Sequence, residues 1–200
     1  MFLKHYFSSI LFILLLFPLY LFSQTSVSGS ISTDTNWNLQ NSPYVITGDV
    51  TVLPNVTLTI ESGVIAKFDG FYQLKIVGGN LVVNGTESNK VTFTSNQAQS
   101  NIGDWNTISF VSGASGQVSF AIIEYASNGL QINSNPTIIS DCEIKYCDNG
   151  ININGDSSII SDCVISSCEN GININGDSST ISDCVISSCE NGININGDSS

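Results

Sequence analysis

The chain has 200 residues, 17 of them acidic and only five basic, with no arginine and a formal net charge of −12. Lys4, Lys67, Lys75, Lys90 and Lys145 are too few and too scattered to neutralise a run of phosphates, which argues against nucleic acid as a partner. The same balance argues against anionic membrane surfaces, and the only histidine is His5.

Residues 1–24 open with Lys4, continue in an apolar run from Ile10 to Phe22, and end near the small residue Ser23. That order of basic start, apolar stretch and small residue is the pattern of a secretory signal peptide. The run is shorter than the ~20 residues of a spanning helix, and Pro18 interrupts it. Cleavage after Ser23 or Gln24 is expected, leaving a secreted or cell-surface chain with no transmembrane segment.

Residues 25–117 read as strands. Val50–Val52, Val56–Ile60, Leu74–Val77, Leu81–Val83 and Val91–Thr94 are alternating or apolar runs, punctuated by glycines such as Gly63, Gly70 and Gly85. This stretch is expected to hold the N-terminal cap and the first, irregular coils.

Residues 118–200 repeat every 21 residues. Ile160–Ser179 reads ISDCVISSCENGININGDSS, and Ile181–Ser200 repeats it letter for letter. Ile139–Ser158 is a close copy, and Val118–Thr137 a weaker one in the same phase. Four apolar columns result, one of them Val118, Ile139, Ile160 and Ile181. Alternation in ININ has the period of a strand with one buried face, and Asn-Gly and Gly-Asp-Ser-Ser are turn signals. The fold expected is all-β: a right-handed single-stranded parallel β-helix of about 21 residues per coil, with N-terminal capping strands. The chain stops at the end of a repeat, so further coils beyond Ser200 are expected.

The early runs GDVTVLPNVTLTIESGVIAKFDG (Gly48–Gly70), GGNLVVNGTESNKVTFTS (Gly78–Ser95) and GDWNTISF (Gly103–Phe110) resemble the opening of secreted bacterial parallel β-helix proteins of the pectate-lyase-like superfamily. The resemblance covers about residues 40–200. It implies fold and export. Its members include polysaccharide lyases, epimerases and adhesins, so it leaves the activity open.

Six cysteines form two columns, Cys142, Cys163 and Cys184, and Cys147, Cys168 and Cys189. Ala121 and Ala126 hold the same places one coil earlier, so the columns read as small core filler. Stacked strands lie ~4.8 Å apart, wider than the ~3.5–4.5 Å between Cβ atoms that a disulfide prefers. Asp156, Asp177 and Asp198 form an acidic column, read either as a solvated edge or as oxygen ligands for calcium; no other cofactor is expected. No catalytic residue is named. A lyase would need a base, and Lys145 is the only lysine of the clear repeats. A glycosidase needs two carboxylates about one bond, and near-identical repetition does not single out a pair. The candidate glycan-facing residues are Asn152, Asn173 and Asn194, whose amides either bond along the stack or face a ligand, with Tyr125 and Tyr146 as a small stacking platform. The function expected is a non-catalytic extracellular module for adhesion, scaffolding or glycan binding, with a polysaccharide or cell-surface glycan as partner. The alternative is a fragment of a polysaccharide-active enzyme (lyase, epimerase or glycosidase) whose catalytic coils lie elsewhere.

Overall fold

The computed structural model describes residues 24–111, 113–133 and 137–196. The leader expected over 1–24 lies outside the described residues except for Gln24, and so does Asp198.

The described chain is a parallel β-solenoid of about eight turns. Strand β1 (Thr25–Ile31) forms the first partial rung. The next coils are β2 (Thr35–Trp37) with β3 (Tyr44–Val52), then β4 (Thr57–Glu61), β5 (Ile65–Phe68) and β6 (Gln73–Val77). They continue as β7 (Asn80–Asn84), β8 (Val91–Ser95) and β9 (Trp105–Val111), then β10 (Ser115–Ser119), β11 (Ala121–Glu124) and β12 (Ala126–Ile132). Three near-identical coils follow: β13 (Thr137–Ser140), β14 (Glu143–Lys145) and β15 (Asn149–Ile153); β16 (Ile159–Ser161), β17 (Val164–Ser166) and β18 (Asn170–Ile174); and β19 (Thr180–Ser182), β20 (Val185–Ser187) and β21 (Asn191–Ile195).

Each coil contributes one strand to each of three faces. The first face is a seven-stranded sheet running from β2 to β19. The second runs from β5 to β20 and the third from β6 to β21. They join because Tyr44–Ile46 of β3 pair with β5 while Val50–Val52 pair with β6. β10 spans the step from residue 117 to residue 118, where the regular repeat begins, and the rungs stack through it without interruption.

The columns expected from the repeat are the observed registers. Val118 pairs with Ile139, Ile139 with Ile160, and Ile160 with Ile181. Leu130, Ile151, Ile172 and Ile193 stack likewise. Inward side chains are buried as the period of two requires: Ile144, Ile151, Ile153 and Ile165 have no exposed surface. Aromatic rings fill the early coils instead, where Phe68 and Trp105 stack at 3.9 Å. One coil is longer than the rest. Asn80 pairs with Ser115, 35 residues on, because segments 85–90 and 96–104 loop out on either side of β8.

Two corners of each regular coil are turned by a residue in the left-handed region. Phe120, Asp141, Asp162 and Asp183 stand between the first and second faces with φ of 51–56°. Tyr125, Tyr146, Ser167 and Ser188 stand between the second and third. Such a residue aims its N–H along the axis, so Asp141 donates to Ser161 O at 3.2 Å and Tyr146 to Ser166 O at 3.3 Å, each one coil onward. The corners therefore tie each coil to the next where the strand ladders are interrupted.

Candidate functional site

The third face carries asparagine amides outward, and they are spent on one another. Asn173 donates to Asn152 Oδ1 at 2.7 Å and to Asn149 Oδ1 at 3.1 Å, while Asn194 donates to Asn173 Oδ1 at 2.8 Å. Both amide hydrogens of Asn173 are thus engaged. Asn152 donates to Asn128 Oδ1 at 2.6 Å. A second column at the turn repeats the scheme, with Asn175 donating to Asn154 at 2.8 Å and Asn154 to Asn133 at 2.7 Å. Bonding along the stack, one of the two uses expected for Asn152, Asn173 and Asn194, is present in the structure.

Tyr125 and Tyr146 meet at the corner between the second and third faces. Their rings stack 5.5 Å apart with planes 10° from parallel, close to the rise of one coil. Tyr125 covers one face of the Tyr146 ring. The other face looks toward Ser167, the next residue of the column, which has no ring to cover it, and Tyr146 stays 41% exposed. Nearby, a shallow concavity of about 360 Å³ is lined by Ile102, Cys147, Asp148, Ser167, Cys168, Glu169, Ser188 and Glu190, and Tyr146 is not one of its walls. Gly103 of the 96–104 loop approaches Asp148 there, with Asp148 Oδ2 3.6 Å from where a Cβ on Gly103 would sit.

The second face holds a charge cluster. Lys145 Nζ donates to Glu143 Oε1 at 2.6 Å and lies 3.7 Å from Glu124 Oε2. Lys90 Nζ lies 3.9 Å from Glu143 Oε2, and Thr94 donates to Glu124 Oε1 at 2.9 Å. The bond to Glu143 holds the Lys145 ammonium above the ordinary lysine value. A lysine so placed stays charged at neutral pH and is a poor proton acceptor. The sequence reading singled out Lys145 but not Glu124, Glu143 or Lys90. The signal for Glu124 was present in the 21-residue spacing, which places it directly beside Lys145.

Cys142, Cys147, Cys163 and Cys168 are buried, and Cys184 and Cys189 are half-buried. The thiols donate to nearby carbonyls, as Cys163 does to Ser161 O at 3.1 Å. Bonding to the stacked neighbour, then burial, pushes the Cys147 and Cys163 thiols above the ordinary range. Among the described residues no three acidic, histidine or cysteine side chains converge as a metal site would require. Asp156 Oδ1 accepts the Asp177 N–H of the next coil at 2.7 Å, so the described part of that column forms a turn-to-turn link.

Three parallel faces, stacked inward columns and outward polar ladders define a parallel β-helix protein. Residues 29–118 match the family model of the pectate-lyase like beta helix domain. That segment is similar to the pectate-lyase-like β-helix domain, and the regular coils after it extend the same three faces. No curated protein and no solved structure shows significant similarity to the chain.

Proposed function

We propose that this chain is a non-catalytic extracellular β-helix module that binds polysaccharide or cell-surface glycan and so serves adhesion or scaffolding. The observation that carries the reading is the Tyr125–Tyr146 stack, which leaves one flat ring face open at an exposed corner of a rigid solenoid. Flat aromatic faces bind sugar rings through their apolar C–H surfaces. The non-catalytic part of the reading draws support from Lys145. It is the one lysine of the regular coils, and two glutamates hold it charged. Export follows from the leader-like residues 1–24.

Glycan-array binding by the purified chain, together with retention on the surface of cells that express it, tests the proposal. Binding to at least one glycan class with surface retention is expected. A blank array with no retention overturns it.

A further inference from the structure

We infer that the column of Cys147, Cys168 and Cys189 binds a soft monovalent d10 cation, Cu(I) or Ag(I), held in a line between the sulfurs of successive coils. The inference is independent of the glycan-binding reading.

The three thiols are held alike. Cys147 donates to Lys145 O at 3.4 Å, Cys168 to Ser166 O at 3.4 Å and Cys189 to Ser187 O at 3.5 Å, each to a carbonyl of its own coil. The backbone holds the same register, since the Glu169 N–H donates to Cys147 O and the Glu190 N–H to Cys168 O, both at 3.3 Å. Like bonds fix like side-chain directions, so neighbouring sulfurs are displaced by the rise of one coil, ~4.8 Å. A cation midway between them lies ~2.4 Å from each, close to the ~2.3 Å of a metal–thiolate bond. A disulfide would have to draw the same sulfurs to ~2.05 Å, against the stacked backbone. The spacing therefore suits a two-coordinate ion better than an S–S bond.

Ligand number selects the class of ion. Zinc and calcium demand larger ligand sets, and the described residues bring none together. Thiolates favour soft ions such as Cu(I), which two sulfurs in a line satisfy. The bond to Cys147 lowers the Cys168 thiol below its ordinary range, so this sulfur is the first of the pair to reach the thiolate form. A thiol that still carries its proton yields it to solvent as the sulfur–metal bond forms, and no electron changes hands. Cys147 and Cys168 both line the shallow concavity, where the carboxylates of Asp148, Glu169 and Glu190 raise the local concentration of cations.

Anaerobic titration of the full reduced chain with Cu(I), delivered as its complex with a chromophoric chelator, provides the test, using the wild type, Cys168→Ala and Cys163→Ala. Cys168 belongs to both steps of the column, and its loss leaves Cys147 and Cys189 two coils apart, ~9.6 Å, beyond the reach of one ion. Cys163→Ala makes the same change in the other column. Alanine already stands in both columns at Ala121 and Ala126, so both variants should fold, and melting curves check it. The wild type and Cys163→Ala are expected to withdraw Cu(I) from the chelator equally. Cys168→Ala should bind at least about tenfold more weakly, no less than a metal site loses with an outer-shell contact. X-ray absorption of the loaded wild type should show two sulfurs per ion, and zinc should not displace the copper. Undiminished uptake by folded Cys168→Ala, an equal loss in Cys163→Ala, or no uptake by the wild type overturns the site. Three or more sulfurs per ion, or displacement by zinc, overturns the two-coordinate assignment.

Discussion

Asn173 donates its side-chain amide to Asn152 across one coil at 2.7 Å. The bond belongs to a ladder in which each carbonyl accepts from the coil that follows. Asn173→Asp removes both donors and leaves the Asn152 and Asn149 carbonyls facing a carboxylate. Loss of stability by about 1–3 kcal/mol is expected, the cost of unsatisfied half-buried acceptors. Denaturant unfolding of the variant beside the wild type reads it directly, and Asn173→Ala should cost less because it adds no charge.

That ladder also marks how far the sequence could be read. The 21-residue period placed the inward columns correctly, because identical letters in identical phase leave a parallel stack only one register. Strand type in the early coils was legible too, since runs such as Leu74–Val77 and Val91–Thr94 alternate clearly, and they lie in β6 and β8. The 35-residue coil was not legible, because no copy of it exists against which to measure the loops at 85–90 and 96–104. Nor were the corners: Asp141 and Tyr146 occupy left-handed backbone although neither is glycine, and composition does not announce that. For the outward amides the sequence offered two uses, and the distances between coils show the first, bonding along the stack.

Gly150 is required by close stacking and not by its backbone angle. A Cβ there would lie 2.6 Å from Gly171 O and 2.8 Å from Ile165 Cγ2, both fixed by the next coil. Gly150→Ala must push two coils apart, and a cost of about 1–3 kcal/mol is expected, as for other overpacked interiors. A lowered melting temperature with unchanged far-ultraviolet circular dichroism at 25 °C checks it.

Asp162 turns a corner at φ 54°. Aspartate tolerates that region because its short polar side chain bonds locally, whereas a β-branched side chain crowds the backbone. Asp162→Val should therefore destabilise by about 1–2 kcal/mol. Asp162→Gly should be tolerated, and comparing the two unfolding midpoints isolates the backbone effect from the lost charge.

Thiol protonation makes stability depend on pH. Burial raises the Cys184 and Cys189 thiols above their ordinary values in the folded chain. Unfolded thiols release their protons near the ordinary value of ~8.5. Their contribution is thus complete below that pH and declines above it, as the unfolded state gains thiolates that the folded state resists. Their part of the denaturation midpoint is expected to fall between pH 7.5 and about 9.5, so the wild type should lose more over that range than a variant with Cys184 and Cys189 both alanine, the residue type already standing in these columns at Ala121 and Ala126.

Binding and turnover measured together on one polysaccharide panel test the central claim most directly. The chain is incubated with neutral and acidic polysaccharides, with and without calcium, and both the retained protein and the newly formed reducing or unsaturated ends are counted. A solenoid whose Lys145 is held charged by Glu143 and Glu124, and whose open Tyr146 ring face is proposed to take sugar, is expected to be retained without releasing product. Product formation that scales with protein concentration would contradict the account.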